Sequence, residues 1–226
     1  MGCRNSYQQD MSSRMEITCF CGDVKLKTRE ATPRMHYECA CRDCCERGEW
    51  IAANGAQGQM VTDQGPPHMM ATANSFREVI GIENIKTYKA RADSPTIILV
   101  ADCCKSNMGI SHPAQVPVLF SVLLDFCKLK CDEQEVTRDN QLARFFTASW
   151  DKANDPDAYD LPPFNGPQIR NPGKSANPVV FTYAKMRFFK KNPRMEGDIG
   201  VEDIIKQCGE PTVLGLDQSK HIKKPA

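Results

Sequence analysis

Residues 39 to 45 read Cys-Ala-Cys-Arg-Asp-Cys-Cys, four thiols in seven positions. Upstream stands Cys19-Phe20-Cys21-Gly22, and further along the chain Ala101-Asp102-Cys103-Cys104. Three chemistries crowd thiols in this way: a disulfide scaffold, a metal site and a dithiol redox pair. A Cys-x-Cys or Cys-x-x-Cys turn presents thiolates at the separation that tetrahedral zinc requires. Cys39, Cys41 and Cys44 offer three donors from one turn, Cys19 and Cys21 two more, and Cys103 and Cys104 another two at the end of a predicted strand. The Cys41-x-x-Cys44 pair lacks the flanking βαβ pattern of a thioredoxin-like redox motif. Disulfide frameworks belong mostly to short secreted chains, and the leading residues MGCRNSYQQDMSSRM contain no apolar export signal. Twelve cysteines in a chain expected to be cytoplasmic therefore point to metal ligation, with Zn2+ as the expected ion. They imply either one zinc site with leftover buried cysteines or more than one site.

The elements that must position these thiols follow from patterning. All cysteines but Cys3 and Cys208 lie between Cys19 and Cys131, so the chain divides into three parts. Residues 1–14 form a flexible N-terminal segment, 15–131 a zinc-binding β domain, and 132–226 a helical and Pro-rich C-terminal extension. In the β domain, Val24 and Leu26 alternate with Lys25 and Lys27, a half-buried strand. PTIILVADCC is a β-branched run that ends in the third cysteine cluster, and PVLFSVLLDFC reads as a central strand. In the extension, Leu142, Phe145, Phe146 and Trp150 recur at helical spacing behind the N-cap candidates Thr137 and Asp139. Val201, Ile204, Ile205 and Cys208 repeat that spacing, with Gly209 and Pro211 as a stop and Cys208 as a buried thiol on the apolar face. The prolines between residues 151 and 178 oppose regular structure and mark a cover or a linker.

At 226 residues with 41% hydrophobic and 25% charged side chains, the chain has an ordinary globular composition. A formal net charge of +1 gives no electrostatic argument for a nucleic-acid partner. The interleaved Lys185, Arg187, Phe188, Phe189, Lys190 and Lys191 read as an amphipathic element with a solvated basic face. No apolar run is long enough to span a bilayer. The start, Met-Gly-Cys-Arg-Asn-Ser, fits an acylation pattern on Gly2 and Cys3, so membrane attachment is expected only if those residues are lipidated in a eukaryotic source.

The motifs CFCGDVKLKT, YECACRDCC and ADCCKSNMG, over roughly residues 15 to 130, resemble those of one family. It is the family of the glutathione-dependent formaldehyde-activating enzyme and centromere protein V. The resemblance implies a mainly β, zinc-pinned antiparallel β-sheet module (β-tent-like) with two metal sites. By that resemblance Cys19, Cys21 and the Cys103/Cys104 pair hold a structural zinc, and Cys39, Cys41 and Cys44 a catalytic one. The family's third motif reads Phe-Cys-x-x-Cys-Gly, whereas this chain has adjacent cysteines and Asn107-Met108 before Gly109. Neighbours on an extended strand point to opposite faces, so Cys103 and Cys104 can share an ion only across a kink. Otherwise Cys45 or His112 must complete the site.

Zinc with three cysteinates is a poor Lewis acid toward water but takes a further thiol as thiolate. The resemblance therefore implies a carbon–sulfur lyase acting on a thiol–aldehyde adduct of glutathione and formaldehyde, in the manner of an S-(hydroxymethyl)glutathione synthase. The alternative is a non-catalytic zinc-binding module for a macromolecular partner. Arg42, inside the cysteine turn, is the candidate for offsetting thiolate charge or gripping a carboxylate, and Asp43 for shuttling a proton.

Overall fold

The computed structural model describes residues 15–28, 35–39, 41–56, 67–113, 115, 118–131, 134–136, 143–145, 167–169 and 194–216. Gly2 and Cys3, the basic-aromatic stretch and most of the Pro-rich segment lie outside them. The described chain is mainly β. Its strands are β1 Met15–Thr18, β2 Lys25–Thr28, β3 Met35–Cys39, β4 His68–Ala73, β5 Phe76–Ile80, β6 Ile85–Lys89, β7 Ile97–Ala101, β8 Ser106–Ser111, β9 Leu119–Leu123 and β10 Lys128–Cys131. Four short ones follow: β11 Gln134–Glu135, β12 Ala143–Phe145, β13 Pro167–Ile169 and β14 Thr212–Val213. Two α-helices, α1 Arg42–Ala53 and α2 Val201–Cys208, accompany them. Among the described residues no helix is long and apolar enough to cross a membrane.

The strands form two sheets, one of five strands in the order β11-β10-β1-β2-β5 and one of nine in the order β13-β12-β3-β4-β9-β8-β7-β6-β14. Neighbours are antiparallel except for β12 beside β3 and β14 beside β6. Side-chain alternation shows how the layers stack. Along β7, Ile98 and Val100 belong to one apolar cluster, while Leu99 and Ala101 belong to another. The same parity separates Met69 from Met70 on β4, and Leu119 from Phe120 on β9. The Met70–Leu99–Phe120 face packs against Ile17 and Leu26 of the five-stranded sheet and against Val201 and Ile204 of α2. The Met69–Ile98–Leu119 face packs against Cys44 and Ile51 of α1. The large sheet is therefore covered on both faces, which is why its central strands read as unbroken apolar runs rather than as alternation.

Helix α2 matches the predicted segment, but its last residue, Cys208, is only half-buried rather than the buried thiol expected. Asn74 caps the helix, its Oδ1 accepting the Val201 N–H at 2.7 Å, and Gly209 ends it at φ 80°. The helix expected around Phe145 is corrected: Phe145 closes strand β12, which hydrogen-bonds alongside β3 in parallel register. Leu142, Phe146 and Trp150 lie outside the described residues. Within the Pro-rich segment Pro167 opens β13, the outermost strand of its sheet, a position that tolerates a residue without an N–H.

Gly109 shows how tightly the large sheet is packed behind the third cysteine cluster. Its φ is 152°, and a Cβ built there would lie 2.3 Å from the Phe120 ring and 2.5 Å from the Ser121 carbonyl oxygen. Gly109→Ala is expected to lower unfolding free energy by about 1–3 kcal/mol, the usual cost of overpacking, measured by urea denaturation. A change below ~0.5 kcal/mol would mean that β8 and β9 do not approach this closely.

Candidate metal centres

Two groups of cysteine sulfurs converge, Cys19, Cys21, Cys103 and Cys104 in one and Cys39, Cys41 and Cys44 in the other. Within each group one sulfur per residue lies within 4.8 Å of every other. The first group is assembled from two turns. Cys19 follows β1 and is fully buried, and its Sγ accepts the Val24 N–H at 3.2 Å across the β1–β2 turn. Gly22, at φ 94°, lets that turn close. Cys103 and Cys104 occupy the β7–β8 turn, and Ser106 ties the two turns together by accepting the Phe20 N–H at 2.9 Å. Cys19 Sγ lies 3.4 Å from Cys21 Sγ and 3.9 Å from Cys103 Sγ, and Cys21 Sγ lies 3.2 Å from Cys103 Sγ.

The adjacent cysteines do share this cluster. They sit in a turn rather than on an extended strand, and Lys105 just after them adopts left-handed backbone with φ 56°. That turn is the kink which lets two neighbouring side chains face the same way, with Cys103 and Cys104 Sγ 4.0 Å apart. Cys45 and His112 belong to neither group of converging ligand atoms, and Asn107 Oδ1 accepts the Gly109 N–H. Burial works to raise the Cys104 thiol, but the Ser106 hydroxyl and the backbone N–H groups of Cys21 and Ser106 outweigh it and bring the thiol down to about 6.

The second cluster lies on the opposite face of the large sheet, at the junction of β3 and α1. Cys39 ends β3, Cys41 is the N-cap of α1, and Cys44 sits in its first turn. This helix was not foreseen in the turn-like CACRDCC, and its core face is Cys44, Arg47, Gly48 and Ile51, all buried. Residues three and four apart share one side of a helix. Arg47 therefore lies one turn above Cys44, and its Nη2 donates to Cys44 Sγ at 3.0 Å. Cys39 Sγ is 3.3 Å from Cys41 Sγ. Hydrogen bonds from the Cys39 and Cys41 thiols, then the charge of Arg47, hold the Cys44 thiol far below its usual value, while Cys39 is pushed correspondingly up.

The charge partner beside this cluster is thus Arg47, which sequence reasoning missed; the signal was its i, i+3 spacing from Cys44. The Arg42 side chain lies outside the described residues. Asp43 is engaged elsewhere: Arg91, in the β6–β7 turn, donates to Asp43 Oδ1 at 2.6 Å and to Glu46 Oε2 at 3.3 Å, which clamps the first turns of α1 to the sheet. Trp50 stacks at 50° against Tyr88 of β6, with centroids 5.2 Å apart, further along the same helix. Tyr37, two residues before Cys39, is buried and hydrogen-bonded to Ser121 Oγ at 2.9 Å; burial and then the neighbouring Cys39 charge push its phenol above the usual range. His112, half-buried after β8, is near enough to feel Arg47, Cys44 and Asp43, and burial followed by the Arg47 charge lowers its pKa.

All of the described cysteines are free thiols, and the Cys21–Cys103 sulfur separation of 3.2 Å is far longer than the ~2.05 Å of a disulfide. Soft thiolate donors at this spacing suit zinc, Cu(I) or iron–sulfur chemistry, so both clusters could hold metal ions. Compared with family models, with curated proteins and with solved structures, the chain matches none.

If the four-cysteine cluster pins the two sheets through a metal ion, Cys19→Ser should cost roughly 4 kcal/mol or more, as losses of metal sites do, and Cys208→Ser only about 1 kcal/mol. Cys103→Ser and Cys104→Ser should be comparably damaging to each other, since both sulfurs lie in the cluster. Chemical denaturation of metal-loaded protein checks this, and equal effects at Cys19 and Cys208 would contradict it. Strong chelation should likewise lower Tm substantially, because ligand binding to the folded state alone adds stability by mass action. An unchanged Tm after verified metal loss would show that the clusters do not depend on an ion.

Proposed function

We propose that the chain binds zinc at both clusters and acts as a carbon–sulfur lyase-like enzyme on a thiol–aldehyde adduct, of the S-(hydroxymethyl)glutathione type. The supporting observation is the difference between the clusters: one gathers four sulfurs, while the other gathers three with the guanidinium of Arg47 against Cys44. Zinc fits the donor set. At a Zn–S length of ~2.3 Å, tetrahedral geometry puts sulfurs about 3.8 Å apart, and the measured separations of 3.2, 3.3, 3.4, 3.9 and 4.0 Å surround that value. Four cysteines complete a tetrahedral shell, which suits a structural role, whereas three leave one position for a ligand.

When bound in such a three-cysteinate shell, zinc holds an added thiol as thiolate near neutral pH. The residues of this chain supply the remainder. Cys39, Cys41 and Cys44 fix the donor triangle, and Cys41, partly exposed, marks the side from which a substrate sulfur would arrive. Arg47 offsets the excess negative charge of the thiolates from within the core. Arg91 holds α1, and with it Cys41 and Cys44, in register with the sheet. His112, held below its usual value by burial and then by the charge of Arg47, is the histidine we assign to proton exchange with a substrate hydroxyl.

The test is exchange NMR with 13C-labelled formaldehyde and glutathione. Zinc-loaded protein should accelerate interconversion of free formaldehyde and the S-hydroxymethyl adduct, Cys41→Ser should abolish that acceleration, and Cys208→Ser should leave it unchanged. Protein that carries zinc at both clusters yet leaves the exchange at its uncatalysed rate would end the enzyme reading, and the non-catalytic zinc module would replace it.

A further inference from the structure

Arg47 heads the fully buried side chains by size, with 1% exposure. Its Nη2 donates to Cys44 Sγ at 3.0 Å, whereas Nε and Nη1 are buried without a hydrogen-bond partner among the described residues. A guanidinium is planar, and its N–H bonds form fixed forks. Nη2 shares one fork with Nη1 and the other with Nε, and within each fork the two N–H bonds run parallel. Whichever hydrogen Nη2 gives to the sulfur, the other nitrogen of that fork aims a parallel N–H alongside Cys44 Sγ, and there it meets no acceptor among the described residues. A counter-ion alone does not need this arrangement, because a lysine supplies the charge without a fork. Leaving a buried donor unpaired is costly, and Asp43, the carboxylate whose charge acts on Arg47, is already bonded to Arg91.

We propose that this second N–H of Arg47 is the oxygen-binding donor of the site, taking the oxygen that the substrate carries on the carbon next to its sulfur. The inference rests on the reading that the three-cysteine cluster receives a thiol–aldehyde adduct. A substrate sulfur seated beside Cys44 Sγ puts a hydroxyl or carbonyl oxygen one carbon away, which matches a site where a sulfur-facing and an oxygen-facing N–H lie side by side. In the addition direction the thiolate sulfur bonds to the carbonyl carbon and the C=O π pair moves onto oxygen. The proton lost by the thiol ends on that oxygen. Arg47 donates a hydrogen bond to the developing alkoxide throughout and transfers no proton. In the cleavage direction the same bond steadies the hydroxyl oxygen as it is deprotonated and the C–S bond breaks. The ligand class selected is therefore a sulfur with oxygen on its adjacent carbon, in preference to a plain thiol.

The experiment measures binding, not turnover. Thioacetate, with oxygen and sulfur on one carbon, and ethanethiol, with sulfur only, are titrated into cobalt-substituted full-length protein and followed by the metal's absorption. The two ligands differ in acidity, so the quantity of interest is how their affinity ratio changes from wild type to Arg47→Lys. That variant keeps the charge and loses the fork, and it should reduce the preference for thioacetate by about tenfold or more, as expected for a hydrogen bond to a charged group. An unchanged ratio with both ligands still bound overturns the role of Arg47 and leaves the lyase reading standing. No spectral response to either ligand in the wild type overturns both. If Arg47→Lys does not fold, the wild-type zinc protein decides: thioacetate, but not ethanethiol, should shift the Arg47 side-chain 15N resonances and slow their hydrogen exchange. Equal behaviour with both ligands overturns the proposal.

Discussion

Thiolates packed a few ångströms apart repel one another, and the repulsion grows as the surroundings become less polar. The four-cysteine cluster draws such groups together from distant parts of the chain. Cys19 and Cys103 are 84 residues apart yet meet where the β1–β2 turn of one sheet faces the β7–β8 turn of the other. The two sheets otherwise meet through apolar packing of Ile17, Leu26, Leu99 and Phe120, which sets their distance but has little direction of its own. The sulfur cluster gives the contact a fixed point. Its charge must be compensated, and the manner of compensation separates one cluster from the other.

In the four-cysteine cluster the compensation within the chain comes from dipoles: the Val24 N–H on Cys19 and the Ser106 hydroxyl near Cys104. In the three-cysteine cluster it comes from a full charge, the guanidinium of Arg47. The large sheet stands between them. Alternate residues of β4, β7 and β9 serve the two sides, so packing around one cluster is insulated from packing around the other while the strands are shared. On the proposed reading, this division would let one site be a rigid fastening and the other a place for chemistry. The extension past residue 131 takes part in both: α2 seals the face that holds Cys19, and β12 pairs with the strand that ends in Cys39.

The sequence made the ligand sets legible because thiol spacing is local chemistry that depends little on the fold. It also made legible the runs that must be buried on both faces, such as Ile97–Ala101, and helix α2, where apolar period and glycine stop agree. What it concealed was set by contacts remote in sequence. Phe145 carries a helical pattern, but its backbone is claimed by a ladder with β3. Arg42, inside the cysteine turn, drew attention by proximity, whereas Arg47 is the residue that a helical turn carries back over Cys44. The helix itself was hidden because Cys, Arg and Asp give its first turn no apolar stripe. The adjacent Cys103 and Cys104 looked incompatible with one ion only while they were read as strand; the left-handed Lys105 removes that objection.

Seven sulfurs of one chain are proposed to serve two different metal shells. Zinc K-edge X-ray absorption on protein of known metal content tests this assignment most directly. Two ions per chain are expected, one surrounded by four sulfurs and the other by three with a single lighter donor, so that both sulfur and oxygen or nitrogen scattering appear in the averaged shell. A single ion per chain, or a spectrum with no sulfur scattering at the Zn–S distance, would contradict it.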